Sequence, residues 1–134
     1  MRYWLVKSEP SAYSWAQMVA DGRTNWSGVR NHQAAANLKA MKKGDHAFFY
    51  HSNEGKEIVG IVEIVKEAYP DPSDEKGKFV MVDVKPVKTF KTPFTLAQIK
   101  SSATLKNMAL VKQSRLSVCP VTEDEWIAIS KAGD

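Results

Sequence analysis

Residues 57 to 90 carry two long strand-forming runs with no helical stretch between them. Glu57 to Tyr69 is rich in β-branched residues. Phe79 to Phe90 alternates, with Val80, Val82 and Val84 pointing one way and Met81, Asp83 and Lys85 the other. Parallel neighbours need a long crossover, usually a helix, whereas antiparallel neighbours need only a loop. The stretch from Tyr69 to Lys78 holds Pro70, Pro72 and Gly77 among charged residues and reads as such a loop, not as a domain boundary. This pair of runs therefore commits the chain to a sheet-dominated, mainly antiparallel fold. Gly60 marks a bulge or a close approach, and Pro86 an edge or a bulge.

The remaining elements fall around that pair. Tyr3 to Lys7 is a short strand. Ser14 caps a helix with Trp15, Met18 and Val19 at i, i+3 and i+4. Asn31 to Met41 is a second helix with Ala34, Leu38 and Met41 on one face and Gly44 as a stop. Asp45 to Ser52 is an aromatic-rich strand, and Arg115 to Val121 a last one. Thr95-Leu-Ala-Gln98 and Thr122-Glu-Asp-Glu125 both match the capping box and start short helices. The order β-α-α-β-β-β-α-β-α predicts an α+β fold, with a mixed, mainly antiparallel, barrel-like sheet and short peripheral helices.

With 134 residues, one domain is expected, and its core needs no disulfide or metal staple. The single cysteine excludes an intramolecular disulfide and suits a reducing compartment. No apolar run approaches a membrane span, and Lys7 and Glu9 interrupt any secretory apolar core. The formal charge of +4 is modest, but it is unevenly spread. Residues 76–118 hold nine basic side chains against Asp83 alone, a charge of +8. Lys112 and Arg115 in this segment are candidate phosphate contacts; a solvated lysine-rich face is the alternative.

Three clusters can carry chemistry. Lys7-Ser8-Glu9-Pro10 closes the first strand, either as a polar site or as an ordinary strand exit. Trp26-Ser27-Gly28-Val29-Arg30-Asn31-His32 sets a large π-face beside accessible backbone and a helix start. It reads as a base-binding wall, or as a core Trp followed by a capping Asn. Phe48-Phe49-Tyr50-His51-Ser52 places Phe48, Tyr50 and Ser52 on one face of a strand and Phe49 and His51 on the other; one face can meet a ligand, or both can be core. No zinc spacing, Gly-rich phosphate loop or Ser nucleophile elbow is present, so no metal, cofactor or catalytic residue is expected. Cys119, before Pro120 in an apolar run, reads as a buried inert thiol.

Taken together, these clusters resemble the EVE domain family. The shared segments are Tyr3-Trp-Leu-Val-Lys-Ser-Glu-Pro10, Trp26-Ser-Gly-Val-Arg-Asn31, Gly44-Asp-His-Ala-Phe-Phe-Tyr-His-Ser52, Gly60-Ile-Val, Lys66-Glu-Ala-Tyr-Pro-Asp71, Met81-Val-Asp-Val84, Leu105-Lys-Asn-Met108 and Arg115-Leu-Ser-Val118. They run in order along nearly the whole chain, which makes residues 1–134 one EVE domain. The resemblance implies a PUA-like β-barrel and kinship with YTH domains, which hold N6-methyladenine in an aromatic cage. On that pattern Lys7, Ser8, Trp26 and Ser27 map to the base site. The implied function is a reader that captures a modified cytosine or adenine in DNA or RNA. Trp26 stacks on the base; Ser8, Ser27 and Asn31 read its edge beside Gly28, Val29 and Arg30. Tyr50, with Ser52 beyond it, or the Tyr69 region stands in for a second cage aromatic that cannot be aligned. The alternative is a hydrolase acting on a modified nucleoside, like the ASCH relatives of the same fold, with Lys7, Ser8 and Glu9 as its small hydrolytic site. A cytoplasmic form is expected, since the basic N-terminal extension of a nuclear relative is missing, and a monomer is expected.

Overall fold

The computed structural model describes residues 1–133. In chain order the elements are β1 (Tyr3–Ser8), α1 (Trp15–Asp21), β2 (Thr24–Asn25), α2 (His32–Ala40), β3 (His46–His51), β4 (Glu57–Pro70), β5 (Val80–Thr95), α3 (Leu96–Ser101), α4 (Ala109–Lys112), β6 (Val118–Val121) and α5 (Glu123–Gly133). The two long runs become β4 and β5, which pair antiparallel as expected. The α+β class, the mainly antiparallel sheet and the short surrounding helices all hold. The two-residue β2 and the four-residue α4 have no sequence period of their own and were not anticipated.

The strands form one sheet in the order β2-β5-β4-β3-β1-β6. Among the described residues only β1 and β3 pair in parallel, across the crossover that α1 and α2 supply. The expected barrel does not close. Strands β2 and β6 are the two edges, with two and four residues, and among the described residues they do not pair with each other. Helix α2 packs against β6, so that edge meets a helix and not β2. Register shifts along β4 and β5 bend the long pair without bringing the edges together.

The aromatic strand β3 divides the core. Phe48 stacks on Trp126 at 4.0 Å and meets Phe90, while Phe49 meets Trp15 and Trp26 edge-on. The two faces of β3 thus belong to α5 and to α1 with the site. Gly60 explains itself here. The register shifts beside it, and the Trp15 indole lies so close that an added Cβ would sit 2.4 Å from the ring. Val82 and Val84 are fully buried, with Val80 only half so. Cys119 is buried, its Sγ donating to the Leu116 carbonyl, and burial pushes the thiol up to about 11, against the Lys7 ammonium. Both capping boxes form, with Thr95 paired to Gln98 and Thr122 to Glu125. No helix among the described residues is long and apolar enough to cross a membrane.

Candidate functional site

The end of β1, the turn after it, β2 and the 26–30 loop surround an open cavity of about 450 Å³. That size is in the range of small-molecule sites. Lys7 and Ser8 stand on one side, Trp26, Ser27, Gly28, Val29 and Arg30 on the other. Ala12, Tyr13, Thr24, Asn25 and Ser117 complete the lining. Two of the three sequence clusters thus converge on one cleft.

Trp26 answers the question of core or pocket by being both. It is only 8% exposed and packs into the core, yet it lines the cavity. Its backbone N–H donates to the Val82 carbonyl at 2.7 Å, which fixes the wall to β5. Tyr13 stands at 83° to the indole, with centroids 6.5 Å apart. Its hydroxyl donates to Asp21 at 2.8 Å, which fixes the ring, and burial and that bond raise its pKa. Two perpendicular π-faces therefore meet at the cavity. Sequence reasoning missed Tyr13 because it sits far from Trp26 in the chain and beside the Ser14 cap.

The loop behind the wall is held by Asp71, the second missed residue. Its side chain is fully buried. It accepts from Gly28 N at 2.8 Å, from Ser73 N and Oγ at 2.8 and 2.6 Å, and from the Arg30 guanidinium at 3.3 Å. Burial alone would raise its pKa, but these donors overcome it and hold the carboxyl down at about 2. Gly28 takes a φ of +80°, which turns its N–H towards Asp71. Arg30 also donates to Ser73 Oγ and the Val29 carbonyl, and lies over the Phe79 ring. The signal for Asp71 was present, since it ends one of the shared segments, but a loop Asp shows no partner in sequence.

Polar groups at the cleft divide into committed and free. Ser8 Oγ donates to the Tyr13 carbonyl at 2.6 Å, so it offers only lone pairs to a ligand. Lys7 Nζ donates to the Ser114 carbonyl at 2.8 Å, and burial lowers its pKa, with Cys119 opposing. The Asn25 amide and the Ser27 hydroxyl make no side-chain hydrogen bond with a described residue.

Five sequence candidates stand outside this cleft. Asn31 is the N-cap of α2: its Oδ1 accepts from Ala34 N at 2.9 Å, so the capping alternative holds. Asn31 instead borders a neighbouring cavity together with Lys112 and Arg115. Tyr50 and Ser52 line a third cavity, also touched by Lys7, because β1 and β3 pair with Lys7 opposite Tyr50. No group of His, Cys, Asp and Glu among the described residues could hold a metal ion.

The EVE domain model matches residues 2–132. Human thymocyte nuclear protein 1 is 39% identical over 92% of this chain and 70% of its own length; the chicken protein is 40% identical, with 65% of its length covered. Among solved structures, a Rhodopseudomonas palustris protein superposes with a TM-score of 0.94 at 60% identity, over 99% of this chain and 93% of that one. The human protein in complex with 5-methylcytosine-containing DNA gives 0.92 at 38% identity, over 100% and 98%. The YTH domain of Zygosaccharomyces rouxii MRB1, in complex with N6-methyladenosine RNA, gives 0.64 at 15% identity over 99% and 86%, a likeness of fold.

Proposed function

This chain belongs to the EVE domain family, and from that premise we propose that its cleft captures one modified nucleobase, a cytosine or an adenine, from DNA or RNA. One observation carries the reading: Trp26 and Tyr13 meet at right angles over a 450 Å³ opening lined by two cations and no carboxylate. A base stacked on one ring sets its edge against the other. Stacking of this kind is worth roughly 1–3 kcal/mol per base. A methyl group buried in the corner adds about 0.8 kcal/mol.

Edge reading falls to Asn25 and Ser27, with Ser8 as an acceptor. Asn31 is spent on its helix, and Asn25 takes over the amide role that sequence reasoning gave it. Asp71 acts as a positioning residue that holds Gly28 and Arg30 in place. Lys112 and Arg115, beside Asn31 in the adjoining cavity, hold flanking phosphates. The complex of the human relative with methylated DNA supports the ligand class.

Binding fits the cleft better than hydrolysis does. Activating a serine needs a neighbouring base. Ser8 Oγ is turned to the Tyr13 carbonyl, Lys7 Nζ donates to the Ser114 carbonyl and not to Ser8, Glu9 is engaged by Asn53, and no His, Asp or Glu is among the cavity's lining residues. The test is to recover nucleic acid bound to the chain and identify its nucleosides by mass spectrometry. Enrichment of one modified nucleoside supports the reading; recovery of unmodified nucleosides in bulk proportion refutes it. In parallel, steady turnover of methylated, hydroxymethylated or acetylated nucleosides would favour the hydrolase.

A further inference from the structure

Three smaller cavities continue from the base cleft and join through shared side chains. Lys7 lines both the cleft and a cavity of about 240 Å³ walled by Tyr50, Leu96 and Leu110. Lys56 and Leu96 line that cavity and the next one, which reaches Lys100. Ser114 links it to the cavity of Lys112 and Arg115. Among the described residues no aspartate or glutamate lines any of the four. Glu9 stands at the edge, its carboxylate engaged by Asn53 Nδ2 at 2.7 Å.

Tyr50 supplies an independent observation. It is 4% exposed, yet its hydroxyl makes no hydrogen bond with a described residue, and it lines the 240 Å³ cavity. The hydroxyl oxygen itself opens onto the cavity: among the described residues the buried side-chain polar atom left without a partner is Ser130 Oγ, not Tyr50 Oη, so Tyr50 can donate to a group seated there. Burial raises its pKa, so it stays a donor. Lys56 holds a left-handed φ of 49°, a conformation that costs a lysine more than a glycine or asparagine. Asn53 and Gly55 share that positive φ in the turn joining β3 to β4, which sets Lys56 at the mouth of the cavity.

Resting on the base-capture reading, we propose that the Tyr50 cavity seats the nucleotide next to the captured base and that Lys56 and Lys100 hold the phosphates beyond it. The preferred partner is then a single-stranded stretch. In a duplex the neighbouring base stays stacked and paired and cannot enter the second cavity. Tyr50 donates to the edge of that neighbour, while Leu96 and Leu110 cover its face.

The test uses the whole chain with short single-stranded oligonucleotides carrying one 5-methylcytosine or one N6-methyladenine. Each is also made with an abasic linker on the 5′ or the 3′ side of the modified base, and as the matching duplex. For the parent, the linker should weaken binding on one side only, and the duplex should bind more weakly. Tyr50→Phe should weaken the intact strand two- to tenfold, as for one lost hydrogen bond, and remove the effect of the linker. Lys56→Gln with Lys100→Gln should reduce the salt slope by about 1.4, two single-strand phosphates. If the parent prefers the modified base but neither variant changes binding, the strand path is overturned and base capture stands. If the parent shows no preference for modification but the linker and slope effects appear, the path stands and base capture falls. Equal binding of duplex and single strand with neither effect overturns the path outright.

Discussion

Replacing Asp71 by Asn keeps shape and volume and removes one charge and one acceptor oxygen. The amide can accept from either Gly28 and Arg30 or Ser73, but not from both sets. The folded carboxyl is held at about 2, against an ordinary value of 3.8. Each unit is worth about 1.4 kcal/mol, so Asp71 contributes about 2 kcal/mol at neutral pH. Breaking a fully buried ion pair costs more, about 3–5 kcal/mol. The lower figure applies because the Arg30 side chain is 40% exposed and can return to water. The sign follows from the direction of the shift. A depressed carboxylate stabilises above the unfolded pKa, and that contribution disappears as pH falls through the folded one. Urea unfolding of parent and Asp71→Asn should therefore differ by about 2 kcal/mol at pH 7 and by about 1 kcal/mol at pH 3. Asp45 and Asp74 also titrate low, but they are common to both proteins and cancel in the difference. The variant should also bind a modified oligonucleotide more weakly, since the 27–30 wall loses its anchor. Equal stability at pH 7, or a gap that does not narrow in acid, would refute the role given to Asp71.

Other substitutions report on neighbouring parts of the site. Trp26→Ala should cost about 3–5 kcal/mol of stability and also roughly 1–3 kcal/mol of base affinity, because the indole serves core and cleft together; thermal melts and titrations of the folded fraction separate the two. Gly60→Ala should destabilise by about 1–3 kcal/mol through its clash with the Trp15 ring, with base affinity of the folded fraction unchanged. Lys112→Ala with Arg115→Ala should flatten the salt dependence of oligonucleotide binding by about 0.7 per lost phosphate contact, measured from 50 to 200 mM salt.

How much of this was legible in the sequence depends on the range of each signal. Strands β4 and β5 showed themselves because alternation and β-branching persist over many residues. Strand β2 did not, since Thr24 and Asn25 are too few to carry a period. Barrel closure was misjudged because it depends on the two edge strands meeting, and local pattern says nothing of edge length. The 26–30 wall was legible because its residues are contiguous. Tyr13 and Asp71 were not, because each reaches the site through tertiary packing, and Asn25, although next to Trp26, lies on the two-residue β2 that carries no pattern of its own. Asn31 offered two readings, and the cap prevailed since Ala34 N lies within 2.9 Å of its side chain. Tyr50 lies opposite Lys7 in the parallel register and lines the cavity next to that of Trp26, a placement set by strand pairing that local pattern does not show.

The central claim is that the Trp26–Tyr13 cleft holds the modified base, and blocking that cleft tests it most directly. Ala12 is exposed and lines the opening, so Ala12→Trp fills it without entering the core. Calorimetric titration would compare single-stranded oligonucleotides that differ only by one modified base, on parent and variant, at fixed salt. The parent should prefer the modified strand by about tenfold or more, the equivalent of roughly 1.4 kcal/mol. Ala12→Trp should melt within a few degrees of the parent, lose that preference and keep the residual, salt-dependent affinity for either strand. A parent that binds both strands alike, or a folded Ala12→Trp that still prefers the modified one, would contradict the assignment of the base to this cleft.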